Sequence, residues 1–343
     1  MAWSFGESWD LYTAVSDPYQ GYWDSGGGTP AFVAGRFAGS QAWSLNGTGI
    51  TLVKSSGAND AVHHLVVSFR QTATITGSTL GMYLELFDGV TAQCSIVFRS
   101  DGAILLTSGG PAGTALATYT GAFPVINTWY AFEFEVVINN TTGSFVVRKN
   151  GNNVADFTAT SLDTQNSANA YANKLQIGMQ AGVIAQAFDD LFWRSDASSV
   201  AWLGDIRCYA RMPASDASVT FSRSTGASNF SCVDEAQQNA LTDYVYDSNP
   251  GDADFYGVGS IVSTPATVIA TTVRAYAQKS DAGTRTMAVQ LKSGATTVTS
   301  PTLVLTTSGF QWAWRMDLVD PATGAAWTPA AVNNCTIGPR VVA

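Results

Sequence analysis

The stretch "WYAFEFEVVINNTTGSFVVRKNG", residues 129–151, decides the fold class of this chain. Its apolar and polar residues alternate, and the two sets are Tyr130, Phe132, Phe134, Val136 and Ile138 against Ala131, Glu133, Glu135 and Val137. A period of two is what a β-strand with one buried face requires. The stretch ends on Asn150-Gly151, a pair that supplies the positive φ angles of a two-residue hairpin. The sequence therefore predicts one strand, a second strand that ends at the Asn150-Gly151 turn, and a third strand that pairs back through residues 153–157.

The same pattern continues along most of the chain. Short β-rich runs occupy residues 61–70, 82–88, 94–99 and 103–107, and Ser100-Asp101-Gly102 marks a tight hairpin between the last two. A long polar loop follows at 160–174. One helix candidate, "CVDEAQQNALTDYV" at 232–245, places Val233, Ala236, Ala240 and Leu241 on one side, with a loop containing one helical turn as the alternative. Evenly spaced strands with Gly and Asp turns predict an all-β chain of sandwiches or jelly rolls.

Length and composition suggest two domains. The chain has 343 residues, and domains commonly contain roughly 100–200 residues. Small polar residues at 194–205, "RSDASSVAWLGD", separate a closing strand from a new one. We therefore expect one domain at 1–198 and a second, smaller β-sandwich at 199–343.

The charge balance argues against two classes of partner. The formal net charge is -9, and only 13% of the residues are charged. Without a basic patch, neither nucleic acid nor an anionic membrane surface is an expected partner. No run of about 18 apolar residues occurs, so no membrane insertion is expected.

Cysteine and histidine are too sparse and too badly spaced for a zinc site. The chain has four cysteines without a CxxC pair and two histidines. The opening residues lack the pattern of a secretory signal, so we expect four thiols, with a Cys208–Cys232 disulfide as the alternative. His63 and His64 are adjacent on a predicted strand and face opposite sides. No Ser-His-Asp arrangement is indicated.

Glu133 and Glu135 admit two interpretations. At i and i+2 on a strand they lie roughly 6.5–7 Å apart on one face. This spacing falls within the range of about 6.5–9.5 Å for an inverting glycosidase pair. The alternation alone also explains them, because the face opposite the phenylalanines must be polar. We favour that second interpretation, in which they form the solvent face of a strand and no residue is catalytic.

Two acidic clusters are candidates for binding Ca²⁺, which prefers oxygen ligands from loops. Asp247, Asp252 and Asp254 fall in "YDSNPGDADFY", a dense Asp/Asn/Gly/Pro segment whose simpler interpretation is a solvated turn. Asp189 and Asp190 lie on the predicted closing strand, with side chains on opposite faces. For this pair we favour a structural role in the strand, with a loop cap or a Ca²⁺ ligand at one of the two residues as the alternative. No other cofactor is expected.

The N-terminal region is rich in aromatic residues. The candidates for an interface or for glycan contact are Trp3, Trp9, Tyr19, Tyr22 and Trp23. Exposed aromatic rings stack on sugars or anchor protein interfaces. The same residues, together with Tyr12, are equally consistent with a buried first strand. Both interpretations remain open from the sequence.

Several segments together resemble a known family. Residues 1–198 resemble the laminin-G-like, concanavalin A-like jelly-roll domain of virion proteins of tailed bacteriophages. The segments that carry this resemblance are "FGESWDLYTAVSDPYQGYWD", "GRFAGSQAWSLNG", "NTWYAFEFEVVINNTTGSFVVRKNG", "DTQNSANAYANKLQIG" and "FDDLFWRSD". The second half resembles a companion segment of phage tail and particle proteins through "WLGDIRCYARMPASDA", "NFSCVDEAQQNALTDYVYDSNPGDADFY" and "VDPATGAAWTPAAVNN".

The resemblance implies a non-enzymatic structural protein of a phage particle, tail-associated or decorating the particle surface. Its expected partners are other virion proteins, copies of itself and host surface glycans. It would be made in the host cytoplasm and end on the virion exterior, at the tail or capsid surface. The alternative is a carbohydrate-binding adhesin at a tail fibre or tip. A glycan depolymerase that uses Glu133 and Glu135 is the third interpretation.

Overall fold

The computed structural model describes residues 3–14, 16–28, 30–45, 49–73, 77–180, 185–199, 201–239, 241–261 and 267–343. The chain divides into two compact units, which are Met1–Asp10 with Trp23–Cys208, and Leu11–Tyr22 with Tyr209–Ala343. These bounds differ from the predicted ranges 1–198 and 199–343 at two places. Residues 11–22 join the second unit, where Trp312 donates from its indole to Asp17 O at 3.0 Å. The first unit continues to Cys208.

The first unit contains fifteen strands in the described part of the chain. They are β1 (Trp3–Glu7), β2 (Ser25–Gly27), β3 (Ala31–Ala34), β4 (Gln41–Leu45), β5 (Thr51–Asp60), β6 (Val62–Gln71), β7 (Leu80–Asp88), β8 (Thr91–Arg99), β9 (Ile104–Ser108), β10 (Ala115–Tyr119), β11 (Tyr130–Val137), β12 (Gly143–Lys149), β13 (Phe157–Leu162), β14 (Ala172–Met179) and β15 (Gln186–Asp196).

These strands form two antiparallel sheets. The eight-stranded sheet runs β13-β12-β11-β6-β15-β4-β3, with β1 paired to β15, and the seven-stranded sheet runs β10-β9-β8-β7-β14-β5-β2. Phe98 on β8 contacts Phe69 of the other sheet at 4.2 Å between ring centroids and Phe134 at 6.1 Å. The phenylalanine side of β11 therefore faces the core of a β-sandwich, as the alternation predicts. The prediction of an all-β jelly-roll fold is confirmed.

The predicted hairpin is partly correct. Asn150 and Gly151 do adopt positive φ angles of 54° and 73°. The return strand, however, starts at Phe157 and not within the two residues after the turn. Asp156 is the reason, because its carboxylate accepts hydrogen bonds from Lys149 N at 2.8 Å and from the Asn152 amide at 3.0 Å. These bonds hold a wider loop.

The second unit is a smaller β-sandwich. Its described strands are β16 (Pro213–Ser218), β17 (Ser222–Arg223), β18 (Val245–Tyr246), β19 (Phe255–Val258), β20 (Thr271–Ala277), β21 (Thr286–Ser293), β22 (Thr296–Thr299), β23 (Leu303–Val304), β24 (Gln311–Asp317) and β25 (Thr336–Val341). A six-stranded sheet runs β16-β19-β25-β21-β22, with β23 paired to β21, and β20-β24 and β17-β18 form separate pairs. Val273 on β20 and Ala313 on β24 share a buried core with Val289 and Leu291 on β21.

Helical structure is minor. The described residues contain 3-10 turns at Asp17–Tyr19 and Phe230–Cys232 and one short helix, α1 (Pro329–Asn333). The predicted helix at 232–245 is wrong for its described residues, and Ala240 lies outside them. The alternative, a loop with one helical turn, fits better, because the 3-10 turn ends at Cys232 and bends and a short strand follow. Thr328 caps α1 by accepting a hydrogen bond from Ala331 N. No helix in the described ranges has the length and apolar character needed to cross a membrane.

Candidate functional site

The face of β11 that carries Glu133 and Glu135 is covered by protein and not by solvent. Residues 201–208, which we call the strap, pack on it. Leu203 N donates to one oxygen of Glu133 at 2.6 Å, and Gly204 N donates to the other at 2.8 Å. Glu133 is only 2% exposed. The expectation of a solvent face is therefore wrong, because a chain segment distant in sequence covers these residues.

Glu135 has its own partner under the same strap. Its carboxylate lies 2.9 Å from His64 Nε2. The indole of Trp202 meets the His64 ring edge-on at 5.5 Å and lies 4.2 Å from the Arg148 guanidinium. Burial lowers the pKa of His64. Both glutamates are thus held by protein groups, and the strap occupies the space in which a glycosidase would need substrate and water.

Asp189 and Asp190 lie on one side of their sheet, although the sequence predicted opposite sides. The register of β15 against β6 shifts between Asp189 and Phe192, and Asp190 has a positive φ of 50°. This irregularity is a β-bulge, in which one extra residue interrupts the alternation of side chains between the two faces of the sheet. Arg36 N donates to Asp189 at 2.7 Å, and the Arg36 guanidinium lies 3.6 Å from Asp190.

The bulge carboxylates are structural anchors. Cys208 N, at the end of the strap, donates to Asp190 at 2.8 Å. Burial is the main cause that raises the pKa of Asp189 to about 8 and that of Asp190 to about 6. Both residues are 1% exposed. No substrate can reach them, and their bonds hold Arg36 and the strap in place.

The three acids proposed for Ca²⁺ do not converge on one point. Asp254 is fully buried and accepts hydrogen bonds from Thr220 N, Phe221 N and the Asn229 amide at 2.7, 2.9 and 2.9 Å. Asp247 accepts from Asn249 N at 2.6 Å, and Asp252 accepts from the Asn249 amide at 3.2 Å. The oxygens of Asp247 and Asp252 close a local turn, while those of Asp254 hold a distant segment at Thr220 and Phe221. Within the described ranges, no group of three or more His, Cys, Asp or Glu side chains could hold a metal ion.

The histidines and cysteines also have structural environments. His63 is fully buried, contacts Asp60 O at 2.9 Å through Nε2 and accepts from the Trp193 indole at 3.2 Å. Burial lowers the pKa of His63 to about 4. The expectation of four thiols is confirmed, since Cys94, Cys208, Cys232 and Cys335 are all free.

The N-terminal aromatic residues are mostly core residues. Trp9, Tyr22 and Trp23 are completely buried, while Trp3 and Tyr19 are half-buried. In the first unit, Trp9 stacks on Trp23 at 5.8 Å and on Trp43 at 5.4 Å. The prediction that Trp9, Tyr22 and Trp23 contact a glycan is therefore wrong, because a ring without exposed surface cannot stack on a sugar.

A different set of polar residues lies on the outer face of the seven-stranded sheet. Gln176, Glu85, Ser95 and Thr107 are direct neighbours on β14, β7, β8 and β9, and we call them the polar row. Leu84 and Ile96, with the opposite alternation, are buried on the core side. The Gln176 amide donates at 3.0 Å both to Glu85 and to the Tyr83 hydroxyl. Burial raises the pKa of Glu85 to about 7.

A loop rich in asparagine adjoins the polar row. This asparagine loop, residues 163–171, is held by the buried Gln93, whose amide donates to Ser167 and to two backbone carbonyls at 2.8–3.0 Å. Asn166 N donates back to Gln93 at 2.6 Å. Asp88 accepts from Ser167 at 2.9 Å and from the Asn169 amide at 2.8 Å. Asn166 and Asn169 are nevertheless exposed, so the loop presents ordered amides to solvent.

The row and the loop are connected through the Gly109-Gly110 turn. Ser95 donates to Gly109 O at 2.8 Å, and Thr107 donates to Gly110 O at 3.0 Å. A Cβ on Gly109 would lie 3.0 Å from the Asn166 amide. Glu85, Ser95 and Thr107 are 4%, 0% and 1% exposed, so solvent reaches only Gln176, which is half-buried, and the exposed Asn166 and Asn169 of the loop. The polar row is therefore a largely buried hydrogen-bond network. Sequence reasoning did not identify it, although the alternation of Tyr83, Glu85 and Phe87 already placed these three residues on one face.

No protein-family model matches this chain, and no curated protein matches it. Among solved structures, the CBM2 module of the evolved Dit of Lactobacillus casei BL23 phage J-1 is similar, with 10% identity over 58% of this chain and 99% of that one and a TM-score of 0.37. Arcelin-5, a lectin-like defense protein from Phaseolus vulgaris, has 7% identity over 57% and 98% of the chains and a TM-score of 0.36. The Ca²⁺-bound VIP36 exoplasmic/lumenal domain has 9% identity over 59% and 93% and a TM-score of 0.37. At these TM-scores, the similarities identify neither a ligand nor an activity for this chain.

Proposed function

We propose that this chain is a non-enzymatic structural protein on the exterior of a tailed-phage particle and that its first unit contacts host surface glycans. The observation that carries the glycan contact is the asparagine loop, in which the exposed Asn166 and Asn169 are held in place by Gln93 and Asp88. The half-buried Gln176 of the polar row lies on the neighbouring strand β14.

This chemistry suits a saccharide because each sugar hydroxyl both donates and accepts a hydrogen bond. The amides of Gln176 and Asn169 offer both functions. Glu85, which is only 4% exposed, orients the Gln176 amide by accepting its hydrogen bond at 3.0 Å. Because Gln93 already orders the loop, binding needs little additional loss of conformational entropy.

A binding role fits this site better than hydrolysis. Glycosidases of the usual type need two carboxyl groups, and the polar row contains one. The other closely spaced pair, Glu133 and Glu135, is bonded to the strap and to His64. Neither the polar row nor the Glu133–Glu135 pair therefore offers two accessible carboxylates to a depolymerase.

The virion role is supported by the sequence segments that resemble phage jelly-roll and particle proteins along nearly the whole chain. Other virion proteins and further copies of this chain would be its partners. The position of the chain on the particle distinguishes two versions of the proposal. On the tail or capsid wall the chain would be a structural or decoration protein. At a tail tip or fibre end it would be a receptor-recognition adhesin.

Glycan-array binding by the full chain tests the glycan contact. We expect binding that falls about tenfold or more in Asn169→Ala and Gln176→Ala, since each loses hydrogen bonds to a bound sugar. Gln180→Ala, an exposed glutamine just beyond β14, is the matched control and should bind normally. Absence of binding by the unmodified chain, or equal binding by all variants, would overturn the proposed site.

Cryo-electron microscopy of the intact particle tests the virion role separately. Density for this chain on the wall or at the tip would support the corresponding version. A particle without density for this chain would refute both versions, whatever the glycan array shows.

A further inference from the structure

The second unit carries an exposed aromatic platform that sequence reasoning did not identify. In the β17–β18 pair, Ser222 lies opposite Tyr246. The pairing continues to Ser224, whose N donates to Tyr244 O at 2.9 Å and whose hydroxyl accepts from Tyr244 N at 2.8 Å. Both tyrosines therefore lie on one face, opposite small serines. Their rings are 6.0 Å apart, and the residues are 40% and 53% exposed.

A surface hollow of about 550 Å³ adjoins this platform. Its lining combines two aromatic residues, three hydroxyl side chains and one arginine, which are Phe221, Tyr246, Ser222, Ser224, Thr225 and Arg223. Aromatic rings pack against the apolar face of a sugar ring, and hydroxyls bond to its edge.

The wall of the hollow is held by a buried network. Asp254, fully buried, accepts from Thr220 N, Phe221 N and the Asn229 amide. The Asn229 amide also donates to Phe221 O at 2.8 Å. The acid that the sequence suggested as a calcium ligand thus fixes the strand from which the hollow is built.

Arg223 gives the hollow a positive charge. Its Nε donates to Gly226 O at 3.1 Å, and its Nη1 donates to the Asn229 side-chain oxygen at 3.4 Å. Both acceptors are neutral, and Arg223 forms no ion pair with the described residues. In a chain of net charge -9, an exposed guanidinium without an acidic partner favours an anionic ligand.

We propose that this hollow binds a saccharide that carries a carboxylate, such as a uronic acid residue of a polysaccharide. The sugar ring packs on Tyr246 and Tyr244, its hydroxyls bond to Ser222, Ser224 and Thr225, and its carboxylate pairs with Arg223. This site lies in the second unit and does not depend on the polar row of the first.

Calorimetric titration of the full chain with two probes tests the proposal. The probes are a hyaluronan tetrasaccharide, which carries glucuronate carboxylates, and chitotetraose, which is neutral. We expect the hyaluronan probe to bind at least about tenfold more tightly, because its carboxylate forms a charge-assisted hydrogen bond with Arg223. Arg223→Gln should remove that preference, and Tyr246→Ala should weaken binding of the acidic probe by about tenfold.

Arg285→Gln is the control, because Arg285 is an exposed arginine of the same unit that pairs with Asp281. It should bind both probes as the unmodified chain does. Equal affinity for the two probes, or an acidic-probe affinity that survives Arg223→Gln, would refute the proposal, as would no binding. Asn169→Ala separates the sites: if it abolishes acidic-probe binding while Arg223→Gln does not, the ligand occupies the asparagine loop of the first unit.

Discussion

The two outer faces of the first sandwich both carry buried glutamates, but the partners of these glutamates differ in kind. On the eight-stranded sheet, Glu133 is bonded by backbone N–H groups of Leu203 and Gly204. On the seven-stranded sheet, Glu85 is bonded by the side-chain amide of Gln176. The first carboxylate anchors a segment of the chain. The second belongs to a row of side chains.

This difference separates structure from recognition. Backbone donors of the strap can leave Glu133 only if the strap detaches, which leaves buried polar groups unpaired. The amide of Gln176 can exchange its partner for a sugar hydroxyl by a small side-chain rotation. On the seven-stranded sheet, the partner of the buried acid and not the acid itself is therefore the group that can meet a ligand.

The largest expected effect is on the strap. Glu133→Ala leaves two backbone N–H groups without their acceptor and should lower the free energy of unfolding by about 3 kcal/mol. Glu133→Gln should lower it less, because one amide oxygen still accepts. Chemical denaturation measures both. Asp163→Asn, an exposed carboxylate of the same unit, should stay within about 0.5 kcal/mol of the unmodified chain. Equal stability of all three variants would contradict the anchoring role.

The second effect concerns pH and the bulge under the strap. Asp189 has a pKa raised to about 8, so between pH 6.5 and 8 the folded state holds a proton that the unfolded state has lost. Stability must then fall as pH rises, by roughly 2 kcal/mol over this interval. His63, with a pKa lowered to about 4, has the opposite effect but only below about pH 6.5. Denaturation at both pH values measures the loss.

Asp189→Asn is the control for the pH effect. Its side chain cannot ionise, so the stability of this variant should change less between pH 6.5 and 8. The nearby charged groups are Asp10, Asp190 and Arg36, and Asp10 and Asp190 have pKa values raised to about 6. A stability that rises from pH 6.5 to 8 in the unmodified chain would show that Asp189 is ionised throughout.

The third effect is on the asparagine loop. Gln93→Ala removes the hydrogen bonds that order residues 166–171, while several of the released groups can bond to water. We expect a loss of about 1 kcal/mol in stability, faster amide exchange confined to the loop, and weaker glycan binding. Hydrogen exchange measured by mass spectrometry resolves this. Unchanged exchange in the loop would mean that Gln93 does not order it.

The smallest expected effect on stability is that of Glu85→Gln. With its pKa raised to about 7, the Glu85 side chain is often neutral near neutral pH, and a neutral amide of the same shape should change stability by less than about 1 kcal/mol. A stability loss as large as that of Glu133→Ala would show that the two faces do not differ as we describe.

Local rules predicted local features of this chain well. The alternation of residues 130–138 correctly assigned Phe132 and Phe134 to the core, and Ser100-Asp101-Gly102 correctly marked the β8–β9 hairpin. Asn150-Gly151 took the expected positive φ angles, but the return strand depended on the side chain of Asp156. The helix candidate failed because weak apolar spacing over 232–245 did not outweigh the pairing of Val245 and Tyr246 with β17.

The candidate sites were less predictable. The positions of Asp189 and Asp190 depend on a bulge, which inserts one residue and reverses the expected faces. The three acids at 247–254 looked like ligands in sequence, yet their oxygens face different turn donors. Tyr244 and Tyr246 became a platform only because small serines pair opposite them.

The sequence by itself determined the all-β class and which residues of a regular strand such as β11 share a face, because side-chain alternation is a property of the extended backbone. Only the tertiary structure decided what each polar face meets. Glu133 is bonded to a residue 70 positions away, and Gln176 reaches Glu85 across 91 positions. Such partners are set by the order of strands in the sheets and by the path of the strap. Neither is encoded in the residues next to the glutamates.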